Sequence, residues 1–266
     1  MSNTDLTARQ DRAVGYDACY RVYRPRPAAR LRLVCFPHAG GSASFYQRWV
    51  RHMPDWVELV IARYPDREDR LGEELPDTLE LLAEQLAAAL APAIDRPTVI
   101  LGHSMGAAVA YEVTRRLERR GRNLARLIVS AHPAPHRQRP NAVHRMDDEG
   151  LIADVVGLNP ESAARFEDPG LRQLVLPTIR NDYRLIEMYR PAAPRPVHTP
   201  IAAVINLDDR EVAVDEARGW SECTTADFEL HRMPGGHFYL VDDDREFVRW
   251  LVTALRVDPP TWPSTP

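Results

Sequence analysis

A serine between two glycines is the first candidate for chemistry in this sequence. The motif Gly102–Gly106 has the pattern G-x-S-x-G around Ser104, and it follows the apolar run Thr98–Leu101. A tight turn from a buried strand into a helix would expose the Ser104 hydroxyl beside a base, as nucleophilic attack requires. It would also leave the backbone N–H of Met105 free at the helix start, where it could stabilise an oxyanion. The short pattern also occurs by chance, but a strand before it and a small-residue helix after it favour a nucleophile.

A serine nucleophile needs a base, and His237 has the most suitable position for one. It lies in the turn Pro234–Phe238, flanked by glycines, directly after the last predicted strand. The other histidines downstream of Ser104 fall before or within a helical stretch, before a strand or inside one; they are His132, His136, His144, His198 and His231. We therefore predict that His237 takes the proton of Ser104.

The acid that would orient this base is one of two aspartates. Asp208 and Asp209 follow the apolar run Ile201–Leu207 at its carboxyl end. Either carboxylate could hold the His237 imidazole in the productive tautomer. Paired aspartates after a strand are also common turn formers and helix caps. Spacing alone does not separate the two residues.

A second oxyanion donor is expected in the loop after an early strand. The segment Cys35–Ala43 contains the adjacent glycines Gly40 and Gly41, which allow the backbone to approach a ligand closely. The alternative is an ordinary strand–helix turn. The presence of Ser104 and His237 in the same chain favours the functional interpretation.

Short apolar runs alternate with helical periodicity, and this order predicts the elements that would position these side chains. The predicted strands are Leu31–Phe36, Val57–Ile61, Thr98–Leu101, Leu127–Ser130, Ile201–Leu207 and Phe228–Met233. Helical spacing covers residues 79–90, started by a variant capping box at Asp77 and Glu80, and residues 105–120. Such alternation is typical of an α/β fold with a mostly parallel sheet and helices on both faces.

The pattern changes between residues 136 and 199, where helix-like pieces follow one another without a convincing strand. We interpret this part (136–199) as a helical lid over the carboxyl ends of the strands, inserted into a core of residues 31–135 and 200–257. Residues 1–30 are predicted to be extended and flexible, and residues 258–266 to form a flexible tail. Some apolar lid residues suit an acyl chain, although an ordinary helical core would look the same; they are Leu151, Val155, Leu171, Leu174, Leu176, Ile186 and Met188.

The composition excludes several classes of protein. The 266 residues include no lysine, so 34 arginines stand against 38 acidic residues, with a net charge of −4 and a pI near 6.2. A strongly basic face for nucleic acid is therefore not expected, and no apolar run reaches the ~18 residues needed to cross a bilayer. The N-terminus lacks the apolar core of a secretory signal, and the three cysteines fit a reducing compartment. We expect a cytoplasmic monomer that needs no metal or cofactor and binds neither nucleic acid nor membrane.

Four motifs together resemble the type II thioesterases, the stand-alone editing enzymes that accompany modular polyketide and nonribosomal peptide synthases. The motifs are Phe36–Gly41 (FPHAGG), Tyr64–Arg70 (YPDREDR), Gly102–Gly106 (GHSMG) and Gly235–Phe238 (GGHF). The stretch Arg180–Tyr189 also looks like the lid segment of that family. The likeness extends from about Arg30 to Arg256 and is far more specific than the serine motif alone.

This resemblance implies an α/β-hydrolase fold. It also implies hydrolysis of acyl thioesters from the phosphopantetheine arm of an acyl carrier protein, without a cofactor. Ser104 would be the nucleophile and His237 the base. The acid would be Asp209, because the family has a valine three residues after its acid and Val212 fits that position.

By the same resemblance, the oxyanion donors are the backbone N–H groups of Ala39 and Met105. Two residues depart from the family's pattern: Asp66 stands where glycine is usual, and Arg210 stands where proline usually follows the acid. Both are loop positions, so the departures concern loop geometry and not the chemistry.

Other functions are compatible with the same residues. A carboxylesterase or lipase would use the same triad. A non-catalytic binding module on this fold usually has a broken triad, and here no member is missing. The Arg-rich stretch Arg115–Arg122 could dock an acidic carrier protein, or it could be the solvated end of a helix.

Overall fold

A seven-stranded sheet in the order β1-β3-β2-β4-β5-β6-β7 forms the centre of the molecule. The computed structural model describes residues 15–206, 208–242 and 244–255; the rest of the chain, which includes the predicted tail (258–266), lies outside the described residues. The strands are β1 (Tyr20–Arg21), β2 (Leu31–Phe36), β3 (Val57–Ala62), β4 (Thr98–His103), β5 (Arg126–Ser130), β6 (Ile201–Asn206) and β7 (Phe228–Met233).

Helices follow most of these strands. They are α1 (Tyr16–Cys19), α2 (Leu79–Leu90), α3 (Met105–Arg119), α4 (Asp148–Leu158), α5 (Ala164–Glu167), α6 (Pro169–Met188), α7 (Val214–Arg218), α8 (Tyr239–Asp242) and α9 (Asp244–Ala254). Segments of 3₁₀ helix occupy Ala43–Arg51, Glu68–Arg70, Ala91–Ala93, Pro135–Arg137, Val143–Arg145, Pro160–Ser162 and Gly219–Cys223. Among the described residues, no helix is long and apolar enough to cross a membrane.

Parallel pairing brings the carboxyl ends of the central strands to one edge of the sheet. Phe36 of β2 is opposite Gly102 of β4, and His103 of β4 is opposite Ser130 of β5. Strand β6 pairs in parallel with both β5 and β7 and ends at Asn206. Leu207, the predicted last residue of that strand, lies outside the described residues. The loops that follow these strands therefore meet at a single edge, where an α/β fold places its ligands.

The sheet is covered on both faces, which explains why its central strands read as continuous apolar runs. On one face, Leu82 and Leu86 of α2 and Val113 of α3 share a core cluster with the sheet. On the other face, Trp49 and Phe247 share a second cluster with the sheet. The predicted fold class, an α/β fold with a mostly parallel sheet and helices on both faces, is confirmed.

A helical insertion of residues 135–188 lies between β5 and β6, where the sequence predicted helical pieces without a strand. Its helices α4 and α6 pack on a small core of their own, formed by Val143, Leu151, Leu176 and Ile179. Helix α6 continues through Pro177, which removes one backbone N–H donor from the helix interior. The insertion thus has its own core. It also contacts the main core of the molecule, for example through Leu185 of α6.

Part of the N-terminal stretch predicted to be extended and flexible (residues 1–30) packs against the sheet where the structure describes it, from residue 15 onward. Strand β1 pairs antiparallel with β3, and Cys19 and Tyr20 are buried. The Tyr20 hydroxyl donates to the Leu86 carbonyl at 2.8 Å. The Arg26 guanidinium donates to the carbonyl oxygens of Met53, Pro54 and Val57, before and at the start of β3. An edge strand of two residues has no periodicity that a sequence pattern could show.

The start of α2 also differs from the prediction. The cap is Thr78, whose side chain accepts a hydrogen bond from the Leu81 N–H at 3.1 Å, and not a capping box at Asp77 and Glu80. Thr78 has the extended backbone that an N-cap requires and directly precedes the first helical residue.

Candidate active site

The turn around Ser104 joins β4 to α3 with a strained backbone. Ser104 has φ +54° and ψ −125°, and its N–H donates to the Ser130 carbonyl of β5 at 2.8 Å. A non-glycine residue keeps such angles only where its surroundings impose them. Here a Cβ on Gly102 would lie 2.0 Å from the Gly106 carbonyl oxygen, and a Cβ on Gly106 would lie 2.1 Å from the Phe36 carbonyl oxygen. The two glycines are therefore required by the close approach of three backbone segments.

The two residues proposed as oxyanion donors line the same cavity as Ser104. Met105 is the first residue of α3, and at that position a helical N–H has no intrahelical acceptor. Ala39 lies in the loop after β2, between His38 and Gly40, and lines the cavity together with Met105 and Ser104. The structure thus places both residues proposed as oxyanion donors at the site of the serine.

His237 and Asp209 form a buried pair at the carboxyl edge of the sheet. The Nδ1 atom of His237 lies 2.9 Å from Oδ2 of Asp209, and their side chains are 5% and 1% exposed. The other carboxylate oxygen of Asp209 accepts from the Glu211 N–H at 2.9 Å, whereas Asp208 is exposed. With Nδ1 donating to the carboxylate, Nε2 of His237 is the nitrogen that can accept a proton. His237 and Ser104 line the same cavity.

Three further histidines surround His237, and sequence reasoning did not predict their role. Burial lowers the pKa of His38 to about 3 and that of His132 to about 4, and it lowers the pKa of His103 well below the usual value. Their proximity to His237 adds a smaller effect in the same direction. These three rings are neutral near pH 7. They lie near His237 without adding positive charge there.

The His103 ring connects the turn around Ser104 to strand β5 and helix α8. Its Nδ1 atom lies 2.9 Å from Oγ of Ser130, which in turn lies 2.8 Å from the Tyr239 hydroxyl. The His103 and His237 ring centroids are 5.2 Å apart. His103, the residue before Ser104 in the G-x-S-x-G motif, therefore packs against His237, the candidate base.

The two loop residues that depart from the family's pattern have different surroundings. Asp66 has φ +59°, the left-handed conformation in which glycine is favoured. Its Oδ2 accepts from the Thr178 hydroxyl of α6 at 2.6 Å, and its Oδ1 accepts from the Gly72 N–H at 2.9 Å. Asp66 thus keeps the glycine-type backbone and adds a contact to the insertion. Arg210 is exposed and lines the cavity.

A cavity of about 380 Å³ lies between the sheet edge and the insertion. Its walls are both apolar and polar; they include Val155, Leu158, Phe166, Ile186, Arg139, Arg165 and Glu211. Of the apolar lid residues proposed for acyl binding, Val155 and Ile186 line this cavity. Leu151 and Leu176 belong to the core of the insertion, and the remaining three are exposed; these are Leu171, Leu174 and Met188.

The Arg-rich stretch lies at the opposite end of α3 from Ser104. Arg119 is 15 positions after Ser104, which corresponds to about 22 Å along a helix. Arg116 forms ion pairs with Glu112 and Glu84, and Arg120 pairs with Glu84. This arrangement favours the interpretation as the solvated end of a helix. In the described part of the chain, no group of His, Cys, Asp and Glu residues has an arrangement that could hold a metal ion.

Comparison with known proteins places this chain in a family. A family model described as "Thioesterase domain" matches residues 31–254. This chain belongs to the thioesterase family. The predicted family membership, the α/β-hydrolase fold and the thioesterase activity are confirmed.

Two relatives from Streptomyces show the similarity in sequence. The thioesterase PikA5 of Streptomyces venezuelae is 36% identical over 89% of this chain and 85% of its own length. A probable cadicidin biosynthesis thioesterase of Streptomyces griseus is 40% identical over 83% of this chain, which spans only 61% of that longer protein.

Solved structures show the same similarity in three dimensions. The type II thioesterase BorB from the borrelidin cluster superposes with a TM-score of 0.82 at 40% identity, covering 90% of this chain and 98% of its own. YbtT, a type II thioesterase from the yersiniabactin NRPS/PKS pathway, gives a TM-score of 0.80 at 29% identity over 89% of this chain and 97% of its own. Homologues of this thioesterase are therefore type II thioesterases of polyketide and nonribosomal peptide pathways.

Proposed function

We propose that Ser104, His237 and Asp209 form a catalytic triad that hydrolyses acyl thioesters on the phosphopantetheine arm of an acyl carrier protein. The observation that carries this proposal is the buried His237–Asp209 hydrogen bond of 2.9 Å at a cavity that His237 shares with a serine held at φ +54°. The names of the relatives support the carrier-bound substrate. YbtT belongs to an NRPS/PKS pathway, and synthases of this kind carry their chains as thioesters on carrier proteins.

The reaction begins with proton transfer from the Ser104 hydroxyl to Nε2 of His237 as Oγ attacks the thioester carbonyl. Asp209 holds the ring in the tautomer with Nδ1 protonated and stabilises the imidazolium that forms. The negative charge on the former carbonyl oxygen is stabilised by the N–H groups of Ala39 and Met105.

The tetrahedral intermediate then collapses and the C–S bond breaks. His237 returns its proton to the departing sulfur, so the pantetheine leaves as a thiol and Ser104 is left acylated. A water molecule that gives its proton to His237 attacks the ester, and the acid leaves when Oγ of Ser104 takes that proton back. Editing or release of a chain is the outcome of this cycle.

We also propose that the enzyme acts as a monomer in the cytoplasm. Its cysteines, Cys19, Cys35 and Cys223, are free and buried, as suits a reducing compartment. Sedimentation of the purified enzyme at micromolar concentration tests whether it is a monomer.

The decisive experiment compares Ser104→Ala with Ser221→Ala, a change at an exposed serine. Each variant is assayed with carrier-bound and CoA-bound acyl groups of two to sixteen carbons. We expect Ser104→Ala to abolish hydrolysis with an unchanged circular dichroism spectrum, and Ser221→Ala to retain it. Wild-type rates in Ser104→Ala would contradict the proposed mechanism.

The same panel separates thioester from ester hydrolysis. Each acyl group is also offered as its p-nitrophenyl ester, which a carboxylesterase would prefer. We expect higher kcat/KM for the carrier thioester than for the ester of the same chain. The reverse order would favour the ester hydrolase.

A further inference from the structure

Helix α6 of the insertion presses directly on the loop that carries Ala39. We call residues 37–42 the oxyanion loop. Gly40 in this loop has φ +70°, and a Cβ there would lie 2.8 Å from Cγ1 of Ile179 on α6. The backbone of Gly40 thus contacts the Ile179 side chain of α6, with no room for a side chain at position 40.

One turn further along α6, Asp182 reaches the same loop with its carboxylate. Its Oδ2 accepts from the Gly40 N–H at 2.8 Å. Asp182 is 1% exposed, although an ionised carboxylate is costly to bury without partners.

Arg67, from the loop after β3, supplies the compensating charge in a two-pronged pair. Its two terminal nitrogens donate to Oδ2 and Oδ1 of Asp182 at 2.8 and 2.9 Å. One of them also donates to the Gly41 carbonyl at 2.9 Å. The guanidinium lies 5.1 Å from the ring centre of Tyr64, whose hydroxyl donates to the Pro37 carbonyl at 3.0 Å. Loop and insertion are therefore tied together through one buried ion pair.

These bonds hold both peptide groups on either side of the Ala39 Cα atom. The peptide before it contains the His38 carbonyl and the Ala39 N–H, and that carbonyl accepts from the Gly41 N–H at 2.9 Å. The peptide after it contains the Gly40 N–H, which Asp182 holds. Because each peptide is planar, these contacts determine the direction of the Ala39 N–H.

We propose that Asp182 and Arg67 are positioning residues for the oxyanion hole, so that the hole is complete only while α6 is seated on the oxyanion loop. This inference rests on the proposed function, since it takes the Ala39 N–H as an oxyanion donor. An oxyanion hole works because its donors are fixed before charge develops. A donor freed to rotate loses that advantage in the transition state and changes substrate binding much less.

The test uses Asp182→Ala and Arg67→Met, with Asp148→Asn as the matched control. Asp148 belongs to the same insertion and pairs with Arg180 at an exposed position. We expect kcat for a short acyl thioester to fall by about 10- to 100-fold in both variants with KM changed less than about threefold, because loss of one oxyanion donor costs about 100- to 1000-fold. The double variant should lose little more than either single one, since the two residues act as one unit. Asp148→Asn should keep wild-type kcat.

A trifluoromethyl ketone analogue of the substrate separates positioning from a merely structural role. It forms a hemiketal with the serine whose oxyanion occupies the hole, so its affinity should fall by the same factor as kcat. Labelling of Ser104 by a fluorophosphonate, followed to completion, should remain one per molecule. An unchanged affinity for the ketone, or an effect on KM alone, would overturn the positioning role.

Two further variants keep the test informative. If Asp182→Ala does not fold, Asp182→Asn keeps an oxygen for the Gly40 N–H and removes the charge; we expect an intermediate loss of kcat, and wild-type kcat would count against the proposal. Hydrolysis by Ser104→Ala would contradict the proposed function itself. If Ser104→Ala were inactive and Asp182→Ala fully active, only the positioning role of the ion pair would be contradicted.

Discussion

His237 donates from Nδ1 to Oδ2 of Asp209 at 2.9 Å, and both side chains are almost completely shielded from water. The neighbouring Asp208 is exposed. Two identical side chains, adjacent in sequence, therefore have different environments. The buried carboxylate has a partner that it can orient, whereas the exposed one faces solvent.

The first prediction concerns this pair of aspartates. Asp209→Asn should lower kcat by about 1000-fold or more, because an amide can hold the ring in the wrong tautomer and does not stabilise the imidazolium. Asp208→Asn is the matched control and should keep activity within about twofold. Steady-state hydrolysis of one acyl-pantetheine substrate measures both. Equal losses in the two variants would mean that the acid is assigned wrongly.

The second prediction concerns the turn around Ser104. Gly102→Ala places a Cβ 2.0 Å from a backbone oxygen, so the turn must distort. We expect a loss of activity and a destabilisation of about 3 kcal/mol or more. Gly157→Ala, in α4 with no atom near its would-be Cβ, should be neutral or stabilising by up to about 1 kcal/mol. Urea denaturation gives both values; a Gly102→Ala enzyme with native stability would contradict the steric argument.

The third prediction concerns Asp66. Asp66→Ala loses the side-chain hydrogen bonds to Thr178 and Gly72, keeps the 3.3 Å bond from the Thr178 hydroxyl to the backbone carbonyl of residue 66, and keeps a Cβ in the left-handed conformation. Asp66→Gly loses the same bonds but relieves the backbone, so it should be more stable than Asp66→Ala by about 1 kcal/mol. Wild type should be the most stable of the three. In a Thr178→Val background, the cost of Asp66→Gly should shrink, and an undiminished cost would show that the Thr178 bond contributes nothing.

The fourth prediction concerns stability in mild acid. The folded-state pKa values of His38 and His132, about 3 and about 4, lie below the usual value of 6.5. Between the folded-state pKa and 6.5, each of these histidines binds more protons in the unfolded chain than in the folded one. The stability that the neutral rings contribute is therefore fully present above pH 6.5 and is lost as pH falls towards the folded-state pKa values. At pH 5 each ring should cost up to about 2 kcal/mol relative to pH 7.5.

Denaturant unfolding at several pH values measures this effect. His38→Gln should reduce the slope of stability against pH between 5 and 6.5 by about one proton, since glutamine does not titrate. An unchanged slope in that variant would show that His38 does not contribute to the acid sensitivity.

Features that depend on local sterics and on burial can be predicted from the amino-acid sequence alone. Strand β2 was predicted with its observed bounds, because a parallel strand covered on both faces reads as an unbroken apolar run. The turn at Ser104 was predicted because its two glycines serve contacts that any such strand–helix junction makes. The alternation of such strands with helices also predicts the α/β fold.

Contacts between residues far apart in the chain follow from the three-dimensional fold. Asp209 and His237 are 28 positions apart and Arg67 and Asp182 are 115 apart, so their contacts depend on the folding of every element between them. A choice between Asp208 and Asp209 likewise turns on which side chain faces the interior, and adjacent loop positions carry no periodicity that shows this. Local patterns follow from short-range backbone geometry, whereas the partner of a buried charge is set by packing across the whole chain.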